Sequence, residues 1–207
     1  MSPSNQKKLD YYSETENRKT RDDLKRAVEL VNGPRIAVDC GCGAGSDIAF
    51  LRSNGYKVYA FDIEPEAVNR CKTRFASDSE VVLSQDSFSS FSYPKSSLVV
   101  ADASLFFCSE NDFTNVWNKI TDSLSPEGVF VGSFLGPEDT MAGPDYDRDA
   151  FWPDVMVASE QKVKGWLGDF EIESFTEHKV SDGKPGERAI FWHVFSVVAR
   201  KKAESNN

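Results

Sequence analysis

Residues 38–45 read Val38-Asp39-Cys40-Gly41-Cys42-Gly43-Ala44-Gly45, and they join two different kinds of segment. The residues before the glycines, 35–40, form a short apolar run that is typical of a buried strand. The residues after them, 46–53, carry apolar side chains at helical spacing and stop at Asn54-Gly55. A strand, a glycine-rich turn and a helix in this order are typical of a loop that binds a ligand with its backbone.

The alternation of strand and helix continues on both sides of this loop. Strands are predicted at 57–62, 80–84, 97–101 and 129–135, and helices at 18–31, 65–75 and 110–124. Residues 125–128 are predicted to form a turn before the last of these strands. Such an alternation predicts a parallel sheet with crossover helices on both faces.

The two ends of the chain depart from this pattern. Residues 1–17 are polar and are expected to be mobile, and residues 136–153 hold several Gly, Pro and Asp without a regular period. A helix is predicted at 155–167, and the apolar stretches 170–179 and 189–200 predict an antiparallel hairpin with a turn at 181–186. We therefore predict an N-terminal segment over 1–34, which could serve as a lid, and one domain over 35–203. In that domain, 136–154 is predicted to be a lid or an acceptor-site insertion.

The spacing of the glycines distinguishes two classes of nucleotide-binding protein. A nicotinamide-dependent enzyme prefers Gly-x-Gly-x-x-Gly, and here Ser46 occupies the last position of that pattern. The spacing of Gly41, Gly43 and Gly45 is instead Gly-x-Gly-x-Gly, and the acidic Asp39 stands two places before it.

Residues 38–45 resemble the first motif of class I S-adenosylmethionine-dependent methyltransferases, an apolar strand followed by (D/E)-x-G-x-G-x-G. The resemblance implies an α/β fold, a three-layer Rossmann-like sandwich with a mostly parallel seven-stranded sheet and a C-terminal antiparallel hairpin. It also implies that the cofactor S-adenosylmethionine lies over Gly41, Cys42, Gly43 and Gly45, with S-adenosylhomocysteine as the product. In that family the acidic residue helps to position the loop and the methionine ammonium, and we expect this role for Asp39.

Further segments resemble the same family at the ends of the next strands. Asp62, followed by Ile63, is expected to accept hydrogen bonds from the ribose hydroxyls, although it could instead cap the helix that starts near Pro65. Asp86 is expected to meet the adenine amino group, although it could be a solvated loop residue. The other residues assigned to the cofactor are Gln85, Ser87, Ala101, Ser104 and Tyr12.

Within the superfamily, the chain looks most like the small methyltransferases of the tellurite-resistance and thiopurine-methyltransferase type. This narrower resemblance rests on residues 104–108, 132–139 and 192–195. Residues 117–130 also resemble the L-x-P-G-G element of the superfamily, with Glu127 in place of its first glycine.

The methyl acceptor is expected to be a small molecule, such as a thiol or a metalloid anion. Methyl transfer from a sulfonium needs alignment and exclusion of water, and a soft nucleophile needs no dedicated base. The candidate acceptor-pocket residues are Tyr11, Phe106, Trp152 and Arg188. His193 is the candidate catalytic residue, because strand alternation points it away from Trp192 and Val194; a packed edge-strand histidine is the alternative.

Composition excludes several other functions. The formal net charge of −9 disfavours nucleic acid and anionic membranes as partners. The 4 Cys and 2 His have no metal-ligand spacing, so no metal site is predicted. No secretory signal or membrane span is expected, and reduced thiols would suit a cytoplasmic protein.

Two other functions stay open at this point. One is an NAD(P)-dependent oxidoreductase on a similar sheet, and the other is a non-catalytic methyltransferase-like binding protein. The sequence does not indicate the oligomeric state.

Overall fold

The computed structural model describes residues 3–146, 155–182 and 190–203. Its helices are α1 Pro3–Thr15, α2 Asp22–Leu30, α3 Ser46–Ser53, α4 Pro65–Arg74, α5 Glu110–Ser123 and α6 Glu160–Trp166. Its strands are β1 Ile36–Cys40, β2 Lys57–Asp62, β3 Val81–Gln85, β4 Ser96–Ala101, β5 Leu124–Leu135, β6 Phe170–Asp182 and β7 Ile190–Lys201. Two short 3-10 helices span Leu105–Phe107 and Thr140–Ala142.

The strands of the described residues form one sheet in the order β3-β2-β1-β4-β5-β7-β6. Strands β1 to β5 run parallel, and β7 pairs antiparallel with both β5 and β6. This arrangement confirms the predicted fold class, including the C-terminal antiparallel pair. The strand order reverses between β1 and β4, so the carboxyl ends of these two strands flank a crevice where α/β sheets bind ligands.

Apolar helix faces cover both sides of the sheet. Alternate residues of a strand face opposite sides, so Val99 and Val100 of β4 belong to different buried clusters. One cluster receives Trp117 of α5 and Val163 of α6, and the other receives side chains of α2, α3 and α4. The sheet and its two helical layers form the three-layer sandwich.

The predicted turn at 125–128 lies inside β5 rather than before it. Ser96 of β4 pairs with Leu124, but Leu98 pairs with Val129, so four residues of β5 stand opposite one residue of β4. Glu127 adopts a positive φ of 61° within this bulge. The turn chemistry that the sequence predicts is therefore present, and it bends a strand instead of ending one.

Helix α6 starts later than the predicted residue 155. Met156–Ala158 lie beside the end of β5 and run parallel to it, and the Ala158 N–H donates to the Leu135 carbonyl at 2.9 Å. Ser159 then caps the helix through the Lys162 N–H at 3.3 Å. Pairing with β5 takes these residues out of the helix.

The N-terminal residues are more ordered than the sequence predicts. Residues 3–15 form α1, and Tyr12 is buried against Ala44 and Ala67. Helix α2 contributes Leu24 to the core, so part of the 1–34 segment belongs to the main body of the fold. The predicted role of this segment as a lid stays a prediction, as does that of 136–154, of which 147–154 lie outside the described residues.

Candidate functional site

The glycine loop between β1 and α3 has the backbone that its sequence predicts. Gly41, Gly43 and Gly45 have φ values of 72°, 51° and 80°, a conformation in which side chains are strained. A Cβ at Gly41 would stand 2.7 Å from the Cβ of Ser104, whereas a Cβ at Gly43 would meet nothing within 4 Å. The loop is therefore tight against β4 at its start and open at its middle.

Asp62, at the end of β2, holds the middle of this loop. Its Oδ2 accepts the Gly43 N–H at 2.9 Å, and its Oδ1 accepts the Glu64 N–H at 2.9 Å. Burial raises the pKa of the Asp62 carboxyl, and these backbone N–H groups offset part of that rise. The side chain that is predicted to meet the ribose thus also holds the loop, and it binds the residue before α4 rather than an N–H of the helix itself.

Asp39, at the end of β1, is buried beside the start of α3. One of its carboxyl oxygens, Oδ2, is buried without a hydrogen-bond partner among the described residues. Burial raises the pKa of Asp39 well above its ordinary value, and the neighbouring Asp47 raises it further. Asp47 is itself buried and lies 3.4 Å from the Arg18 guanidinium. An unpartnered buried carboxyl oxygen costs free energy unless a donor or cation reaches it.

Three more predicted residues are buried, namely Ser104, Cys42 and Ala101. Ser104 donates to the Cys40 carbonyl at 2.6 Å and thereby joins the end of β4 to the end of β1. Cys42 is buried, and hydrogen bonding with the Cys71 thiol of α4, together with burial, raises its pKa. Ala101 is fully buried in the core. These three residues support the loop rather than present polar atoms to a ligand.

The residues after β2 and β3 lie together at the next part of the same edge. Ile63 is 56% exposed, which is unusual for an isoleucine and leaves an apolar surface beside Asp62. Asp86 N–H donates to the Asp62 carbonyl at 3.2 Å, and Gln85 Nε2 donates to the Ile63 carbonyl at 3.4 Å. Ser87 lies in the turn that follows, where its hydroxyl accepts the Ser90 N–H at 3.1 Å. The structure brings all four residues to one side of the glycine loop.

Helix α1 covers this part of the site. Lys8 forms an ion pair with Glu64 at 2.7 Å, and the Tyr12 ring packs on Ala44 of the glycine loop. Burial raises the pKa of Tyr12, and the nearby Asp62 and Glu64 raise it further, so its hydroxyl stays a donor. Tyr11 is 48% exposed on the other side of the helix. Tyr12 thus lies beside the glycine loop, and its assignment to the cofactor stays a prediction, whereas Tyr11 is about half exposed.

A cleft on the other side of the loop contains residues that sequence reasoning missed. It holds about 260 Å³ of space between atoms, but this figure includes open solvent, and the enclosed part has room for about one water molecule. Its lining consists of Arg21, Asp23, Leu24, Asp47, Val100, Asp102, Val131 and Gly132. Asp102 directly follows β4, and it forms an ion pair with Arg21. Burial, and after it the neighbouring Arg18, lowers the pKa of the Arg21 guanidinium to about 10.

Of these cleft residues, Asp102 carries a recognisable signal in the sequence and Arg21 carries none. An acidic residue directly after a predicted strand, as at Asp102, is a recognisable signal for a site at the sheet edge. Arg21 carries no such signal, because only the packing of α2 across β4 and β5 brings it to Asp102.

Of the predicted acceptor residues, the structure describes Phe106 and Tyr11. Phe106 is buried, and its carbonyl accepts the Met156 N–H at 2.7 Å, so it supports the segment after β5. Trp152 and Arg188 lie outside the described residues. The assignment of these residues and of Tyr11 to an acceptor pocket stays a prediction.

His193 is buried within the body of the protein rather than at a pocket mouth. Its Nδ1 accepts the Glu138 N–H at 3.1 Å, and its Nε2 lies 2.9 Å from Glu177 Oε1. Both ring nitrogens are therefore engaged, and neither is free to take a proton from an acceptor. The catalytic role of His193 stays a prediction, without a free nitrogen to support it.

The described residues contain neither a cluster of metal ligands nor a helix that could span a membrane. Within 3–146, 155–182 and 190–203, no three His, Cys, Asp or Glu side chains cluster as a metal ion would require. The described helices are also too short or too polar to span a bilayer.

Known proteins resemble this chain in sequence and in fold. A family model described as "Methyltransferase domain" matches residues 37–128. The carboxy-S-adenosyl-L-methionine synthase of Cronobacter sakazakii is 30% identical over 100 residues, which cover 45% of this chain and 40% of that protein. The match thus extends over less than half of that relative.

Solved structures match over more of the chain. TehB from Haemophilus influenzae has a TM-score of 0.75 at 17% identity, over 94% of this chain and 67% of that one. The N-methyltransferase NodS from Bradyrhizobium japonicum, in complex with S-adenosyl-L-homocysteine, has a TM-score of 0.65 at 14% identity, over 97% and 99%.

The residues matched by the family model, 37–128, carry the glycine loop, Asp39 and Asp62. The solved structures show that this chain shares its fold with TehB and NodS.

Proposed function

We propose that this protein transfers the methyl group of S-adenosylmethionine to a small-molecule acceptor and releases S-adenosylhomocysteine. The observation that carries the proposal is the buried, unpartnered carboxyl oxygen of Asp39 at the root of the glycine loop. A cationic ammonium group would remove its desolvation cost, and the cofactor carries such a group on its methionine end.

The chain has room and hydrogen-bond acceptors for the rest of the cofactor. The open side of Gly43 admits a ligand atom where a side chain would otherwise stand. Asp62 has oxygen lone pairs left for ribose hydroxyls after it has accepted two backbone N–H groups. The exposed Ile63 and the neighbouring Asp86 suit the apolar face and the amino edge of adenine.

We assign the cleft beside Asp102 to the methionine end and to the approach of the acceptor. Arg21 carries the positive charge that a carboxylate requires, while Asp39 and Asp47 carry the negative charge that an ammonium requires. This combination is complementary to an α-amino acid group, which has both charges on one carbon. When bound, S-adenosylmethionine supplies an electrophilic methyl group on sulfur.

The protein's own contribution to the transfer would be alignment and exclusion of water. A new bond forms between the acceptor atom and the methyl carbon while the sulfur–methyl bond breaks, and sulfur keeps the electron pair. A thiol or metalloid anion would need no base, in keeping with the absence of a free histidine nitrogen in the described part of the site. NodS is an N-methyltransferase, so amines also belong among the acceptors to be tested. A cytoplasmic location stays a prediction.

The first test is ligand-dependent thermal stability. We expect S-adenosylhomocysteine to raise the Tm and NAD to leave it unchanged, because a ligand stabilises the folded state that binds it. Stabilisation by NAD alone would overturn the proposal in favour of an oxidoreductase.

The second test is turnover. Production of S-adenosylhomocysteine should depend on one member of a panel of thiols, metalloid oxyanions and small amines. Tight binding of the cofactor with no turnover across the panel would favour the non-catalytic alternative.

A further inference from the structure

His193 connects the chain that leaves β5 to the β6–β7 hairpin. We call residues 136–142, which follow β5, the post-β5 loop. The Gly136 N–H donates to the His193 carbonyl at 2.7 Å, and the His193 N–H donates to Asp139 Oδ2 at 2.8 Å. The ring adds a third link, since Nδ1 accepts the Glu138 N–H at 3.1 Å. One residue of β7 thus binds three consecutive parts of the loop.

These contacts determine the tautomer of the imidazole. Because a backbone N–H donates to Nδ1, that nitrogen carries no proton, and the proton of the neutral ring is on Nε2. Nε2 then donates to Glu177 Oε1 at 2.9 Å. The neutral ring is therefore complete in its hydrogen bonds.

The ring also lies directly on Gly136. A Cβ built at Gly136 would stand 2.5 Å from the Cγ, Cδ2 and Nδ1 atoms of His193. Any side chain at residue 136 would displace the ring, so this glycine is required by the close approach and not by its backbone angles.

Three side chains extend the same connection. Asp139 accepts the Met141 N–H at 2.9 Å through its other oxygen, which shapes the turn of the loop. Thr140 Oγ1 accepts the Phe191 N–H from β7 at 2.7 Å. Lys179 of β6 reaches Glu138 at 2.6 Å. The loop is held along its length, and His193 is the residue at the centre.

The post-β5 loop starts at the carboxyl end of β5, next to the end of β4 that carries Asp102. Asp102 lines the cleft beside the glycine loop, and Gly132 of β5 lines it too. The loop therefore leaves the same edge of the sheet as the region where we place the acceptor.

We propose that His193 is a positioning residue, which holds the post-β5 loop in its neutral form and releases it when Nδ1 is protonated. An imidazolium would direct an Nδ1–H at the Glu138 N–H, which places two donors face to face. The consequence for the acceptor rests on the proposed methyl transfer, whereas the release of the loop does not.

Charged groups face the ring from the elements packed against it. Glu177 of β6 lies at Nε2, and Asp139 of the loop lies at the His193 backbone N–H. Lys179 lies 3.3 Å from Glu177 and is paired with Glu138. None of these groups can replace the acceptor that the Glu138 N–H loses.

The experiment is amide hydrogen exchange on the full chain, and the readout is the protection factor of each amide over residues 136–142. It is measured at about pH 8 and at about pH 5.5, which lie on either side of the range in which histidine ordinarily titrates. For the wild type we expect protection at the higher pH and a loss of about tenfold at the lower one. His193→Ala should lose that protection at both pH values. His193→Asn should keep it at both, because Asn Oδ1 can accept the Glu138 N–H and does not titrate.

Two further variants separate the connection from general destabilisation. Gly136→Ala should remove the protection by displacing the ring, and the double variant Gly136→Ala/His193→Ala should be no worse than His193→Ala alone. His178→Ala is the matched control, because His178 is exposed on the neighbouring strand and should change nothing. Protection that is independent of pH in the wild type, or additive losses in the double variant, would overturn the proposal.

The kinetic readout is used once an acceptor has been found. His193→Ala should raise the KM for the acceptor and leave the Kd for S-adenosylhomocysteine unchanged, with rescue by His193→Asn. The two proposals fail separately. A flat exchange profile with intact S-adenosylhomocysteine binding overturns the positioning role alone, and pH-dependent exchange without cofactor binding overturns the function alone.

Discussion

The Asp62 carboxylate accepts a hydrogen bond from the Gly43 N–H at 2.9 Å, so the residue that ends β2 holds the loop that follows β1. Its second oxygen accepts the Glu64 N–H at the start of α4. One side chain thus organises two of the segments that the cofactor would touch. Its substitution should consequently affect both the binding of the cofactor and the stability of the loop.

We expect Asp62→Ala to weaken S-adenosylhomocysteine binding by at least about tenfold and to lower the free energy of unfolding by about 1–3 kcal/mol, because two buried N–H groups lose their acceptor. Asp62→Asn retains one acceptor oxygen and should be intermediate. Calorimetric titration and urea unfolding measure the two effects. Asp78→Ala, which removes a partly exposed ion pair with Arg52, is the control. Unchanged affinity in a folded Asp62→Ala would contradict the assignment.

Asp39→Asn should change stability and binding in opposite directions. The pKa of Asp39 is raised in the folded protein, so its contribution to stability is present at low pH and is lost as the pH rises through that pKa. At neutral pH the variant should therefore have a higher Tm than the ligand-free wild type, and a lower affinity for the cofactor's ammonium.

The same variant tests the pH dependence of binding. Wild-type affinity for S-adenosylhomocysteine should fall as the pH decreases through the pKa of Asp39, because the ammonium prefers the carboxylate. The affinity of Asp39→Asn should follow a flatter profile. A lower Tm for the variant, together with an unchanged pH profile, is the result that would remove Asp39 from the site.

Two glycines of the same loop should respond differently to alanine. Gly43→Ala places its methyl group in the open space meant for the cofactor, so we expect a folded protein that binds S-adenosylhomocysteine at least about tenfold more weakly. Gly41→Ala drives a methyl group into Ser104 and should chiefly lower the Tm. Gly55→Ala, at a φ of 77° and with its nearest atom at 3.8 Å, controls for backbone strain. Equal affinity losses in Gly43→Ala and Gly55→Ala would show that strain alone is responsible.

Arg21 should contribute to only one end of the cofactor. We expect Arg21→Ala to weaken S-adenosylhomocysteine by about tenfold and adenosine by less than about twofold, because adenosine lacks the carboxylate that Arg21 would bind. Arg26→Ala, in the same helix and paired with Glu173 on the surface, is the matched control. If both ligands weaken equally in Arg21→Ala, the ion pair with Asp102 is only structural.

Tyr12 tests whether α1 closes the cofactor site. Tyr12→Ala removes the ring that packs on Ala44, so we expect faster dissociation of S-adenosylhomocysteine, measured by stopped flow. Tyr12→Phe keeps the ring and should dissociate as slowly as the wild type unless the hydroxyl itself binds the ligand. Tyr11→Ala, on the exposed side of α1, should have no effect on dissociation. If S-adenosylhomocysteine dissociates from all three variants as slowly as from the wild type, α1 is not a lid.

Local chemistry made part of this site predictable. The positive φ values of Gly41, Gly43 and Gly45 follow from residue type, and the positions of Asp39 and Asp62 follow from the strands that they end. Residues at the carboxyl ends of adjacent parallel strands meet at one edge of the sheet, whatever the details of packing. The order of the elements could be predicted for the same reason, since hydrophobic periodicity acts over a few residues.

Other features depend on contacts between residues far apart in the chain. His193 was predicted to face a pocket, because alternation along a strand indicates a face but does not indicate what covers it. The post-β5 loop covers that face and binds Nδ1, and Glu177 of β6 binds Nε2. Tyr12 lies in a polar segment with no apolar period, and only Ala44 and Ala67 give it a place to be buried.

The sequence by itself thus determined the sheet, the glycine loop and the acidic residues that end β1 and β2, because each follows from short-range patterning. Only the tertiary structure decided that Arg21 pairs with Asp102 and that His193 binds the post-β5 loop. In the first pair α2 must cross the sheet, and in the second β7 must insert beside β5. Such pairings arise from the packing of whole elements, which no local pattern of residues encodes.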